Sequence, residues 1–537
     1  MSKTNITYKN TNYFSKTVID YLSEKESIKP FYNNFPELEN FKKQINLKRN
    51  VISAKSEISK QSRKTLVKSL KKQYKNIEAS DKTEANINSL LNEDTFTITT
   101  GHQLNLFTGP LYFLYKIIST INLSEELKTN YPNYNFVPIY WMATEDHDFK
   151  EIKYFNFKNK KISWEKVVSG AVGRLSTSGL NTVFSEITKL FGESQNATNL
   201  KGLFKKSYIE HDNLTDATRF LANQLFKEYG LVILDADDKD LKQEFAPFVK
   251  EELLHQTSFK EVTKTIKEFG KNYKVQVNPR EINLFYLTDD LRERIIFEDN
   301  KYKINNTTIT FSEEEILEEL ENNTERFSPN VIMRPLYQEV ILPNLCYIGG
   351  GGELAYWFEL KTYFDKVGVV FPILLLRNSA LVVTEKLNKK LKKLNISNED
   401  LFLKQHELIN KKVKEISNLE LDFSKQKQFL QQQFSDLEKI AAQTDKSFIG
   451  AVKAQKTKQL KGISVLEKRL LKAEKRKLKD IVDRIILLQD QLFPRQSLQE
   501  RNTNFSELYL EFGEELIPFL KDNLKPLNLE FSVLIKN

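Results

Sequence analysis

The chain has 537 residues, 40% hydrophobic and 11% aromatic, with 81 Lys/Arg against 72 Asp/Glu for a formal net charge of +9. That length exceeds what one core serves, so three or four structural units are expected. A charged fraction of 28% and a mean hydropathy of −0.48 argue against a membrane protein, and the apolar run Val367–Leu376 is short and broken by Pro372. The opening residues Met1-Ser2-Lys3-Thr4-Asn5 lack the apolar core of a secretory signal, and the single cysteine, Cys346, has no internal disulfide partner. A cytoplasmic protein is expected. The positive charge is localised: residues 450–484 hold twelve Lys/Arg against four Asp/Glu, a net +8. That segment reads as one helix, so a solvated basic face is favoured over a phosphate-binding surface, and no nucleic-acid partner is expected.

In chain order, residues 1–91 read as a helical lead-in, with patches at Tyr13–Leu22 and Glu57–Tyr74. Residues 92–149 read as the first half of a Rossmann-like core. A β-branched and aromatic strand, Thr95–Thr99, runs into Gly101-His102-Gln103-Leu104-Asn105. A helix follows from Pro110, with Leu111, Leu114, Ile117, Ile118 and Ile121 at helical spacing. A second strand, Phe136–Met142, ends in Glu145-Asp146-His147-Asp148. This is a βαβ unit with chemistry at both carboxyl ends. Residues 150–225 form a first insertion, with strand signals at Ile152–Phe155 and Lys161–Trp164. The core resumes over 226–258, where Leu231–Leu234 stops at Asp235 and Asp237 and a helix continues through Leu254. A second insertion covers 259–328, with strand-like Tyr273–Val277 and Asn283–Leu287, and the second half of the core covers 329–384. Residues 385–493 turn to Lys, Leu, Gln and Glu and read as a coiled-coil domain. A capping signal at Ser397 and Asp400 starts one helix, and Leu471, Leu478, Ile481, Ile485, Leu488 and Leu492 follow a seam. A continuous helix over 445–492 would span roughly 70 Å and needs a partner, either residues 398–440 folded back, a second copy, or both. Residues 494–537 regain globular character and are expected to pack on the core.

Four clusters carry candidate chemistry. Gly101, His102, Gln103 and Asn105 through Gly109 and Tyr112 form a strand-to-helix junction suited to an anion. Trp141 and Glu145 through Asp148 concentrate three acids and a histidine. Arg334 and Gln338 lead to Tyr347, to the run Gly349-Gly350-Gly351-Gly352, and to Glu353 and Tyr356. Arg377 closes an apolar strand. Four consecutive glycines are costly unless the backbone there needs close approach or a positive φ. Other chemistries lack their motifs: there is no GxxxxGK[ST], GxGxxG or GxSxG, and His102, His147, His211, His255 and His406 show no HxxxH spacing, so no metal is expected.

At these clusters the chain resembles the bacillithiol biosynthesis cysteine-adding enzymes. The resemblance rests on Thr100-Gly101-His102-Gln103, Gly109-Pro110-Leu111-Tyr112 and Lys116, and on Trp141 with Glu145-Asp146-His147-Asp148. It continues through Arg334-Pro335, Gln338, Pro343, Tyr347, Gly349 to Glu353 and Tyr356-Trp357, and ends at Gln499-Glu500-Arg501. It covers essentially the whole chain. It implies an α/β fold with a Rossmann-like core similar to class I aminoacyl-tRNA synthetases, two connecting insertions, and a coiled-coil domain through which the protein forms a homodimer. The implied reaction is that of a carbon–nitrogen ligase, adding L-cysteine to the amine of glucosaminyl-malate in the last step of bacillithiol biosynthesis. ATP is implied as activating co-substrate by analogy with the synthetases, of whose HxGH motif only Gly101-His102 is present. In that reading Asp146 or Asp148 with His147 positions or deprotonates the amine, Arg334 and Arg377 hold carboxylates or phosphate, and the glycine run offers backbone N–H groups. Two other readings stay open at this point: an ATP-dependent ligase or nucleotidylyl transferase with another small substrate, and a coiled-coil adaptor or nucleic-acid-binding protein.

Overall fold

The computed structural model describes residues 2–54 and 56–536. Met1 and Asn537, the outermost residues of the predicted lead-in and tail, and Lys55 lie outside the described residues. The chain forms two compact units, one of Asn5–Leu381 with Gln499–Leu534, the other of Val382–Leu498 with the two chain ends. No helix among the described residues is long and apolar enough to cross a membrane.

Strand β1 (Ser2–Ile6) and helices at Lys16–Leu22, Leu38–Ala54, Ser56–Gln73 and Asp81–Ser89 precede β2 (Thr95–His102). Every residue of β2 is buried. A strand buried on both faces gains from an unbroken β-branched and aromatic run, which Thr95-Phe96-Thr97-Ile98-Thr99 supplies. The helix Tyr112–Asn130 crosses to β3 (Asn135–Met142), which pairs with β2 in parallel, Gly101 opposite Trp141 and His102 opposite Met142. The first insertion carries the hairpin β4 (Tyr154–Phe157) and β5 (Lys160–Ser163). Ile152, read from sequence as strand, ends a short helix instead. Three amphipathic helices follow, Leu180–Phe191, Gln195–Tyr208 and Leu214–Phe226, and the chain returns to the central sheet at β6 (Val232–Asp235).

The second insertion is an antiparallel sheet of β7 (Leu284–Leu287), β8 (Arg292–Glu298), β9 (Lys301–Ile304), β10 (Thr310–Phe311) and β11 (Phe327–Pro329), in the order β10-β9-β8-β7-β11. The strand expected at Tyr273–Val277 is absent. The backbone N–H groups of Gln276 and Val277 donate to the Glu359 carboxylate rather than to a ladder, which holds the segment as ordered coil. Arg334 starts the helix Arg334–Ile341, with Pro335 in its first turn. Then β12 (Asn344–Gly349) and β13 (Ile373–Leu376) complete a five-stranded parallel sheet, β13-β12-β2-β3-β6. Phe96, Ile98, Ile348, Ile373 and Leu375 form its core with Phe41, Ile45, Leu123 and Leu127. All five carboxyl ends share one edge, the edge at which parallel α/β sheets place their ligands. Finally, β14 (Ala380–Val383) and β15 (Phe531–Ile535) pair with β1 in the order β1-β15-β14.

The second unit is helical. Ser397 and Asp400 exchange the reciprocal bonds of a cap, but they close only the 3-10 turn Asp400–Phe402, and the next helix begins at Gln405. Ser424–Ala441 folds back on Lys446–Lys477 as an antiparallel hairpin, with Phe434, Ala441 and Val452 between them and Lys427–Glu467 and Lys456–Glu438 ion pairs along the side. The rod is not continuous to 492. It breaks at Leu478 (φ −93°, ψ 26°), leaving a 32-residue helix of about 48 Å and a separate one at Lys479–Leu492. Ile485, Leu488 and Leu492 are buried, whereas Leu487 is 62% exposed.

Candidate active site

The carboxyl ends of β2, β3 and β12 surround a cavity of about 430 Å³. From β2 come Gly101, His102 and Gln103. The first turns of the crossover helix give Tyr112 and Lys116, β3 gives Trp141 and its extension through Glu145 and Asp146, and the β12 region gives Tyr347, Glu353 and Tyr356. Arg334 and Asn330 close one side, and Arg292 reaches in from the second insertion.

Lys116 is the centre of the floor. Its buried ammonium donates to both oxygens of Glu353 at 2.8 Å and to the Gly101 carbonyl. Glu353 also accepts from the Tyr347 hydroxyl (2.6 Å) and the Gly350 N–H (2.8 Å). Burial pushes the Lys116 pKa down, partly opposed by Glu353. Burial pushes Glu353 up, but the ammonium and these hydrogen bonds outweigh it and hold the carboxyl below its ordinary value. The pair is therefore closed on itself. Arg334 differs: it donates to the Tyr356 hydroxyl at 2.9 Å and the Gln338 side-chain oxygen at 3.3 Å, both neutral. Among the described residues no carboxylate lies within ion-pair distance of Arg334 or Arg292. Glu353 acts on Arg334, and Glu145 and Asp146 on Arg292, only through space, so both guanidiniums keep hydrogen-bond donors available for an anion in the cavity.

His102 lies between the rings of Tyr112 and Phe113, with Nε2 buried and without a hydrogen-bond partner among the described residues. Burial and then the Lys116 charge drive its pKa down to about 3, so the imidazole is neutral throughout the working range of an enzyme. Asp146 faces the cavity differently. Its Oδ2 accepts from the Gln103 amide (2.8 Å), while Oδ1 takes the backbone N–H groups of His147 (2.7 Å) and Asp148 (3.3 Å). Glu145 is drawn into a buried chain, Glu145 to Lys242 (2.6 Å), Lys242 to Asp237 (2.8 Å) and Asp237 to Arg174 (2.9 Å), and burial raises its pKa.

Several residues expected at the site stand outside the cavity wall. His147 lines a neighbouring groove and accepts from Arg292 at Nδ1 (2.5 Å), and Asp148 is solvent-exposed at the start of a short helix. Asn105 and Gly109 shape the junction: Gly109 has φ +63°, and a Cβ there would lie 2.6 Å from that of Asn105. Gln338 is fully buried beneath Arg334. The glycine run contains no positive φ. Its constraint is space, since a Cβ on Gly351 would lie 2.7 Å from Val18 and one on Gly349 3.0 Å from Glu353, Leu354 and Tyr347, whereas Gly352 is open. The Gly350 N–H serves Glu353. Arg377 is buried against Glu500 at 2.8 Å. Conversely, Arg292, Asn330 and Glu151 line the cavity and were not read from sequence. The alternation Arg292-Glu293-Arg294, which sets two arginines on one face of a strand, was the available signal.

A parallel Rossmann-like sheet with a charged cavity at its carboxyl edge, joined in one chain to a coiled-coil unit, defines an α/β protein with a candidate active site where such sheets place their ligands. Two family descriptions match the chain: "Bacillithiol biosynthesis BshC, N-terminal Rossmann-like domain" over residues 1–378 and "Bacillithiol biosynthesis BshC, C-terminal coiled-coil domain" over residues 380–535. Relatives named "Putative cysteine ligase BshC" include one from Flavobacterium johnsoniae, 61% identical over 98% of this chain and 99% of its own. Another, from Flavobacterium psychrophilum, is 59% identical over 98% of both chains, and one from Cytophaga hutchinsonii is 38% identical over 96% of this chain and 95% of its own. The chain belongs to the BshC family of bacillithiol biosynthesis and is an enzyme of the ligase class.

Proposed function

We propose that the enzyme joins the carboxyl of L-cysteine to the amine of glucosaminyl-malate, the last bond of bacillithiol. The observation that carries this reading is the composition of the cavity: of its four carboxylates Glu145 and Glu353 are paired to lysines, Asp146 and Glu151 share the Gln103 amide, and Asp146 stands with two guanidiniums that have no ion-pair partner among the described residues, Arg292 and Arg334. An amine approaching as ammonium is attracted by Asp146, which takes the proton the nitrogen must lose before it attacks. The guanidiniums hold substrate anions and stabilise the charge that builds on the carbonyl oxygen. Condensing a carboxylate with an ammonium releases water and runs uphill in water, so the carboxyl must be activated. ATP is the co-substrate assigned to that task, and the unpaired guanidiniums fit an anion of its kind. The neutral His102 offers a hydrogen bond at Nε2 and no charge. We propose further that the enzyme works as a homodimer through its coiled coil, a reading supported by the exposed Phe429, Ile440 and Leu466 on the hairpin helices.

Purified protein incubated with L-cysteine, glucosaminyl-malate and ATP should give the amide by mass spectrometry, and leaving out any one of the three should abolish it. Ligation of a different amine in preference to glucosaminyl-malate would replace this assignment with that of a ligase for another small substrate.

A further inference from the structure

Beside the cavity lies a second hollow of about 430 Å³, an open groove over the insertion sheet. Arg292 and Arg294 alternate on β8 and so project from the same face, and Arg280 joins them from the coil before β7. Phe285 of β7, paired in register with Arg294, forms the floor, with the Arg292 guanidinium stacked 4.0 Å above its ring centroid. None of the three arginines has an ion-pair partner within 4 Å among the described residues. Three guanidiniums converge on a hollow whose lining holds a single carboxylate, Asp146, and an anion seated between them relieves their remaining mutual repulsion.

The groove is preformed. At Arg280 the backbone N–H donates to the Asn283 side-chain oxygen (3.0 Å) and the carbonyl accepts from the Asn283 amide (2.8 Å). Asn283 is itself buried against Glu252 and Ser258, and Asn330 bonds it from the other side at 2.9 Å. Arg292 is fixed by His147 and Phe285. Asp146, Arg292 and Asn330 line both hollows, so the groove continues the cavity rather than standing apart from it.

Resting on the function proposed above, we infer that the groove of Arg280, Arg292 and Arg294 is the subsite for the dicarboxylate tail of the amine substrate, and that the amine is carried to Asp146 in the adjoining cavity. A carboxylate pair matches guanidinium forks, and a two-part site meeting at Arg292 fits a molecule with a reacting nitrogen at one end and two negative charges at the other. Arg280 and Arg294 then set specificity: they discriminate a malate-bearing sugar amine from a neutral one without touching the reacting atoms.

The test is steady-state kinetics of Arg280→Gln, Arg294→Gln and the double variant, with calorimetric binding of L-malate and of tripolyphosphate to the same proteins. The Michaelis constant for glucosaminyl-malate should rise about tenfold for each substitution, while kcat and the constant for cysteine stay within about twofold, which also reports that the variants fold. L-Malate should bind the wild type and lose its affinity in the double variant. Tripolyphosphate affinity that falls in the variants while malate affinity does not would make the groove a phosphate site and overturn the assignment. Unchanged constants for every ligand would overturn it as well. The two readings fail separately. Malate binding that depends on Arg280 and Arg294 in a protein that ligates no glucosaminyl-malate leaves the subsite standing and removes the function, whereas active variants with an unaltered Michaelis constant do the reverse.

Discussion

Arg377 and Arg334 invite comparison because both read from sequence as anion-holding groups and both stand beside a tyrosine, Arg377 buried and Arg334 half-buried. Arg377 donates to Glu500 (2.8 Å), to the Asn378 carbonyl (2.9 Å) and to Ser379 (3.1 Å), and Glu500 also accepts from Ser379 and the Ala380 N–H. It is a closed structural knot. Arg334 donates only to a phenol and an amide. A buried guanidinium with a carboxylate partner holds the fold together, and one without keeps its charge available for a ligand. The difference lies in Glu500, which is 123 residues away from Arg377, so no local pattern separates the two.

The sharpest way to break that comparison is to take the partner from one arginine and the charge from the other. Glu500→Gln, which leaves Arg377 charged and unpaired, should cost about 3–5 kcal/mol of folding free energy in urea unfolding. Arg334→Gln should stay within about 1 kcal/mol of wild type by the same measurement yet lower turnover about a hundredfold. If Arg334→Gln unfolds the protein as readily as Glu500→Gln, the distinction between knot and ligand site is wrong.

The acid cluster offers the same contrast at shorter range. Asp146 faces the cavity and Asp148 faces solvent two residues on. Asp146→Asn should reduce amide formation about a hundredfold or more with the circular dichroism unchanged, and Asp148→Asn should stay within about twofold. A complementation assay for bacillithiol would read both, and equal losses would return Asp148 to the site.

The βαβ unit, the strand that Arg377 closes and the helical domain were legible because they rest on local periodicity and on strands stopping at polar clusters. Lys116 and Tyr347 came with the family resemblance and the clusters, and both line the cavity. Arg292 was legible only as one of two arginines alternating on a strand, because whether that face meets the cavity depends on how an insertion sheet folds toward the core, which no spacing within residues 259–328 encodes. Tyr273–Val277 has the alternation of a strand and is coil, because a distant carboxylate, Glu359, takes its N–H groups. Of the two reasons read for the glycine run, the positive φ is absent and the close approach is present, though toward Val18 at Gly351. Gly351→Ala should cost about 1–3 kcal/mol through its clash with Val18, while Gly352→Ala, in open space in the first turn of a helix, should be neutral or slightly stabilising. Thermal unfolding of the two variants would check this, and equal midpoints would refute the steric account.

Glu359 is the mirror image of Arg334, a fully buried charge-bearing group with no ion-pair partner among the described residues, and it tests whether a missing counter-ion always marks a ligand site. It lines neither the cavity nor the groove. An arginine cannot discharge, but a carboxyl can take up a proton. Burial raises the Glu359 pKa to about 7, with the two backbone N–H groups of Gln276 and Val277 only partly opposing it. A folded-state pKa above the unfolded value means that the folded protein binds this proton more tightly. The contribution to stability is therefore full below the ordinary carboxyl range of about 4.3, is lost as the pH rises toward 7, and is flat beyond. Glu359→Gln keeps the volume and removes the titration. Between pH 5 and pH 8 the wild type should lose about 1–2 kcal/mol more than the variant in urea unfolding. Parallel losses in the two proteins would mean that Glu359 stays ionised when buried, and a missing counter-ion would then no longer separate ligand-holding groups from those that simply change protonation.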